Sequence, residues 1–220
     1  MELMVAITIG LFITIGMTTF LANSLRSGSQ LSAANRLNQE MRAIMTLMSR
    51  DLRRAGFWAV SENSVAAASD INPFDAVIIS PSGDCILYSY DIDATNSAAP
   101  TNGTSGTTNE LFGFKLNNEA VMVRIRGTNH NCASASDSVW ETLTDTGLVK
   151  IETLTFTLDA PVDDLANPNR NVFYASGTSG PNIFRRTINI TVKGCLKADT
   201  KVCQTITEKV RIENDLYRPS

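Results

Sequence analysis

Residues 3–25 read LMVAITIGLFITIGMTTFLANSL, and residues 26–56 continue as RSGSQLSAANRLNQEMRAIMTLMSRDLRRAG. The first run carries no charge. At about 1.5 Å per residue it reaches across a hydrocarbon core about 30 Å thick, so it reads as a membrane-spanning helix. A cleaved secretory signal would need a basic opening, an apolar stretch of about 7–15 residues and a small-residue cleavage site, a pattern this stretch does not follow cleanly. In the second run Leu31, Ala34, Leu37, Met41, Ile44, Met45, Met48, Leu52 and Ala55 recur at steps of three and four, with Arg36, Glu40, Arg42, Arg50 and Arg53 off that stripe. This is the pattern of a helix with one apolar face. No proline precedes Pro73, and Gly56 is a natural left-handed stop. Together the runs predict one helix of about 55 residues, roughly 80 Å long. The chain then divides into 1–25, which wants lipid or other helices around it, 26–56, which wants a sheet to lie on, and 57–220, a globular body. A coiled coil would need the heptad stripe through both halves, and only the second offers it.

Splitting the charge supports that division. Of 19 Lys+Arg and 22 Asp+Glu in 220 residues, six arginines and three acids fall in residues 1–56, giving +3 there and leaving −6 for the rest. Charged residues make up 19% of the chain, below the soluble average of about 25%. The acidic balance argues against a basic nucleic-acid binder, and a single histidine leaves little for catalytic triads or zinc catalysis.

After Gly56 the apolar period changes to two, the mark of strands. Phe112, Phe114 and Leu116, an Asn117-Asn118 turn, then Val121, Val123 and Ile125 predict a hairpin with one apolar face. Val149 and Ile151, then Leu154, Phe156 and Leu158, predict a strand whose phase slips once at a bulge. Phe184, Ile188, Ile190 and Val192 face Val202, Ile206, Val210 and Ile212 in a second hairpin. The expected fold is α+β, a long N-terminal α-helix packed through Leu31, Leu37, Met41, Ile44, Met48 and Leu52 on an antiparallel β-sheet. Residues 95–109 lack core formers and read as a surface loop.

Four cysteines, Cys85, Cys132, Cys195 and Cys203, allow three pairings. Setting Cys195 opposite Cys203 also sets Val192 opposite Ile206 and Ile188 opposite Val210, so one register satisfies bond and core. Cys85 and Cys132 then pair by elimination. Disulfides point to an oxidising compartment, and no C-x₂-C spacing supports zinc. Asp91-Ile92-Asp93-Ala94-Thr95-Asn96 lacks the glycine and closing glutamate of a calcium loop. His130 reads as an exposed loop residue, no catalytic motif stands out, and the expectation is a protein that is not an enzyme and takes no cofactor or metal.

Met1-Glu2-Leu3-Met4-Val5-Ala6-Ile7-Thr8-Ile9-Gly10-Leu11-Phe12 resembles the start of type IV pilins and pseudopilins. Arg50-Asp51-Leu52-Arg53-Arg54-Ala55-Gly56-Phe57-Trp58 resembles the helix end of PilW-type minor pilins. The stretches Cys85-Ile86-Leu87-Tyr88-Ser89-Tyr90-Asp91, Phe112-Gly113-Phe114-Lys115-Leu116 and Val210-Arg211-Ile212-Glu213-Asn214-Asp215-Leu216-Tyr217 look like the same branch. The resemblance implies a pilin-like fold and a minor pilin that takes part in type IV pilus assembly, with adhesion, twitching motility and N-terminal methylation as associated properties. It implies that Glu2 neutralises a neighbour's N-terminal ammonium. The implied partners are other minor pilins, the major pilin, the inner membrane and a prepilin peptidase acting on a longer precursor, with no nucleic acid directly indicated. The chain starts at what would be the fourth mature residue, so the codons upstream are expected to encode a basic leader ending Gly-Phe-Thr/Ser-Leu. The positive-inside rule alone would put the arginines after the apolar run in the cytoplasm. The resemblance implies the reverse, an inner-membrane anchor with a periplasmic body and a place in the surface pilus. The alternative in the same superfamily is a type II secretion pseudopilin; a single-pass membrane enzyme or ligand-binding module is more distant.

Overall fold

One 53-residue helix, α1 (Glu2–Arg54), leads into a body whose described elements are strands. The computed structural model describes residues 2–58, 72–92, 110–127, 130–133, 138–159 and 182–218. Within these, β1 (Val77–Ile79), β2 (Cys85–Ser89), β3 (Leu111–Asn117), β4 (Ala120–Gly127) and β5 (Ser138–Thr142) form a five-stranded sheet in that order. A second sheet runs β6 (Val149–Asp159), β8 (Thr187–Leu196), β9 (Cys203–Arg211), and β10 (Leu216–Arg218) pairs with β7 (Asn182–Phe184). All these pairs are antiparallel. The fold is thus the expected α+β arrangement, with the strands divided among three ladders.

The helix rests chiefly on β8 and β9. Leu37, Met41, Ile44, Met45, Met48, Ser49 and Leu52 are its buried residues, and the apolar ones join Ile151, Phe156, Ile188, Ile190, Val192 and Val210 in one core. Met41 seats directly on Gly194, where an added Cβ would lie 2.6 Å from the Met41 Sδ. Leu31 does not belong to this packing face: it is 65% exposed, because at about 100° of turn per residue it sits roughly a quarter turn round the helix from the line of Leu37, Met41, Ile44, Met48 and Leu52. Contact begins at the partly buried Ala33.

Gly56 takes φ +77°, the left-handed conformation that ends a helix and that a side chain strongly disfavours. Its N–H donates to the Ser89 carbonyl at 2.8 Å. The last helical carbonyls find donors far along the chain: the Asn214 amide bonds the Arg54 and Ala55 oxygens at 3.2 and 3.1 Å, and the Glu213 N–H bonds Arg53 at 3.0 Å. Groups that a helix end leaves open are thereby satisfied by the C-terminal segment.

The hairpin β3–β4 turns at Asn118 and Glu119, both at positive φ, one residue later than the expected Asn117-Asn118. A bulge between Arg124 and Arg126 then breaks the alternation at Ile125, expected on the apolar face and 41% exposed. Arg124, in regular register opposite Trp140, is 1% exposed. In β6 the register shifts between Ile151 and Thr153, the slip that the apolar phase predicts. Across β8–β9 the pairs are Ile188 with Val210, Val192 with Ile206, and Cys195 with Cys203. Phe184, expected in this hairpin, lies instead in β7 and pairs with Leu216 of β10.

Candidate functional site

The apolar run gives α1 a first half that the body leaves alone. From residue 2 through residue 32 every position is exposed, and large side chains such as Leu3, Ile7, Leu11, Phe12 and Phe20 stand open. The helix is long and apolar enough to cross a membrane, and the qualifying window lies wholly outside the body. Its threonines are turned inward chemically: Thr8, Thr14, Thr18 and Thr19 donate their hydroxyls to carbonyls three or four residues back, at 2.8 to 3.0 Å. A hydroxyl bonded in this way adds no unpaired donor to an apolar surface. Glu2 stands in the first turn, where a carboxylate is favoured by the positive end of the helix dipole.

The second half is clamped. The Asp145 N–H donates to Glu40 Oε1 at 2.6 Å, and the Tyr88 hydroxyl donates to Asp51 Oδ2 at 3.4 Å. The Arg54 guanidinium lies 4.3 Å from the centre of the Tyr90 ring, which itself stacks on Phe112 at 4.2 Å. Burial, reinforced by the neighbouring Asp51 charge, pushes the Tyr88 hydroxyl well above its ordinary pKa, so it stays a proton donor. Burial and the same carboxylate raise Tyr90 as well. Glu40 and Asp51, the acids of this half, are thus turned to the body, while Arg36, Arg42, Arg50 and Arg53 are exposed.

The body is stapled by two disulfides, Cys85–Cys132 and Cys195–Cys203. Glu152 lies close enough to Cys195 and Cys203 to form a metal-sized group, but both sulfurs are committed to their bond and offer no thiolate. His130 is half-buried, not the exposed loop residue expected. Burial, and after it the Arg124 charge, hold its pKa below the usual value. Asp91 of the calcium-like stretch is 2% exposed, while Asp93 and the loop 95–109 lie outside the described residues.

The structure brings Leu37, Met41, Ile44, Met48 and Leu52 onto one face, leaves Leu31 exposed beside it and sets Glu2 remote from the body. Sequence reading missed the strap formed by Glu213 and Asn214, since capping of a helix by residues some 160 positions away leaves no local pattern.

Residues 30–212 match the family described as PpdB, prepilin peptidase-dependent protein B. An uncharacterized protein of Haemophilus influenzae is 27% identical over 111 residues, a match covering 41% of this chain and 46% of that protein. The chain thus spans less than half the length of that relative. No solved structure matches the chain significantly.

Proposed function

Because the chain belongs to the family of prepilin peptidase-dependent protein B, we propose that it is a minor pilin of the PilW type that takes part in building a type IV pilus. The observation that carries this reading is the division of α1: residues 37–52 are locked to the sheets, while residues 2–32 are exposed and bury nothing against the body. A helix half that is apolar all round needs surroundings from elsewhere. Lipid supplies them before assembly and neighbouring helices supply them in a filament.

In this reading a prepilin peptidase trims a longer precursor, the apolar half anchors the subunit in the inner membrane, and the body stands in the periplasm. The disulfides fit that oxidising side. Extraction into the pilus exchanges lipid for helices, and Glu2 then neutralises a neighbour's N-terminal ammonium, an interaction strong in a dry core. The protein works by assembly and not by catalysis. Deleting the gene should abolish or sharply reduce surface pili and leave protein secretion intact. Loss of secretion with normal piliation would instead identify a type II secretion pseudopilin.

A further inference from the structure

Where α1 leaves the body, a cleft of about 490 Å³ opens between the helix, at Arg26, Ser29 and Gln30, and the β8–β9 tip, at Leu196, Asp199 and Val202. Backbone bonds hold that tip. Val202 N–H donates to the Asp199 carbonyl and Leu196 N–H to Val202, both at 3.0 Å, and Lys201 N–H donates to Asp199 Oδ1 at 3.1 Å. The cleft carries both signs of charge, Arg26 on one wall and the Asp199 carboxylate on the other. These two make no ion pair with each other. Lys197 and Lys201 are exposed beside it.

Depth decides what fills it. Residues 3–25 span roughly 35 Å as a helix, enough for the hydrocarbon core, and Arg26 is the first charge beyond. Residues 26–30 then lie about 1.5 to 8 Å further along the axis, within the headgroup layer, which is roughly 5–8 Å thick on each side. The tip shares that level, because it lines the cleft with Arg26 and Ser29. We propose that the cleft receives the headgroup of a zwitterionic, amine-bearing phospholipid, with Arg26 on its phosphate and Asp199 on its ammonium. A lone anion would meet the Asp199 carboxylate and a lone cation would meet Arg26, whereas a headgroup bearing both charges satisfies each wall. The volume lies within the range of small-molecule sites, about 300–1,000 Å³. The inference rests on the membrane anchoring proposed above. The bound headgroup fixes the height of the body over the bilayer until the subunit is extracted.

The test uses the full chain reconstituted in vesicles of phosphatidylethanolamine and phosphatidylglycerol, with a fluorescent amino acid at Leu11, at Thr200 in the tip, or at Thr207, roughly 23 Å up β9. A nitroxide on the acyl chains should quench Leu11, and a nitroxide on the headgroups should quench Thr200 but not Thr207. Native mass spectrometry of the detergent-extracted chain should find retained phosphatidylethanolamine, reduced about fivefold by Arg26→Gln with Asp199→Asn. Failure to quench Leu11 overturns the anchoring, and the cleft assignment with it. Quenching at Leu11 with none at Thr200, or equal lipid retention by the double variant, overturns the cleft assignment alone.

Discussion

The seat of Met41 on Gly194 gives the sharpest test of how the helix is held. Met41 is wholly buried, so Met41→Ala should cost about 2–5 kcal/mol through lost transfer energy and the cavity left behind. In Gly194→Ala the new Cβ would fall 2.6 Å from Met41 Sδ and 3.2 Å from Ile151 Cδ1. Crowding of this kind costs about 1–3 kcal/mol, less roughly 0.5–1 kcal/mol from the lower chain entropy of alanine in a strand. The two changes relieve one another, since removing the thioether clears the space that the Cβ needs. The double variant should therefore be more stable than the sum of the singles by about 1 kcal/mol or more. Equilibrium urea unfolding of the chain from residue 26 onward measures this, because the buried core begins at Leu37. Leu31→Ala, at an exposed position, should change stability by no more than about 0.5 kcal/mol. Additivity of the Met41 and Gly194 changes within about 0.3 kcal/mol would refute the seating of α1 on β8.

Replacing both Cys195 and Cys203 by serine should cost roughly 2–3 kcal/mol for a ring closed across eight residues of separation, and losing Cys85–Cys132, separated by 47, roughly 4 kcal/mol; denaturant midpoints at fixed pH distinguish the two. His130 binds a proton less readily in the folded chain than in the unfolded one, so stability should fall as pH drops below about 6.5 and on through its depressed folded value, with no contribution above that window. His130→Gln should flatten the melting temperature across those pH values, and an unchanged slope would contradict the half-buried placement.

The helix was legible because its apolar stripe, its charge and Gly56 all point the same way. The second hairpin was legible because cysteine pairing and apolar phase agree on one register. Leu31 misled for a physical reason: steps of three and four drift round the helix, and over 31–37 two steps of three carry Leu31 off the face that the sheet covers. Ile125 misled because it is the extra residue of a bulge, which takes it out of the alternation without any mark in composition. The headgroup-level cleft was invisible because it joins Arg26 to a tip some 170 residues away. Glu2, by contrast, was singled out through resemblance and the cost of an apolar setting, and it makes no contact with the body.

The most direct test of the assembly role is piliation of cells whose only copy is the full-length form carrying Glu2→Ala. Insertion should survive, since removing a charge makes the segment more apolar. The melting of the body should also be unchanged, because Glu2 lies some 50 Å along the helix from Leu37. Surface filaments counted by electron microscopy should fall toward the level of the deletion, with the variant present in the membrane at normal amount. Filaments at wild-type number and length, built with that variant alone, would contradict the account.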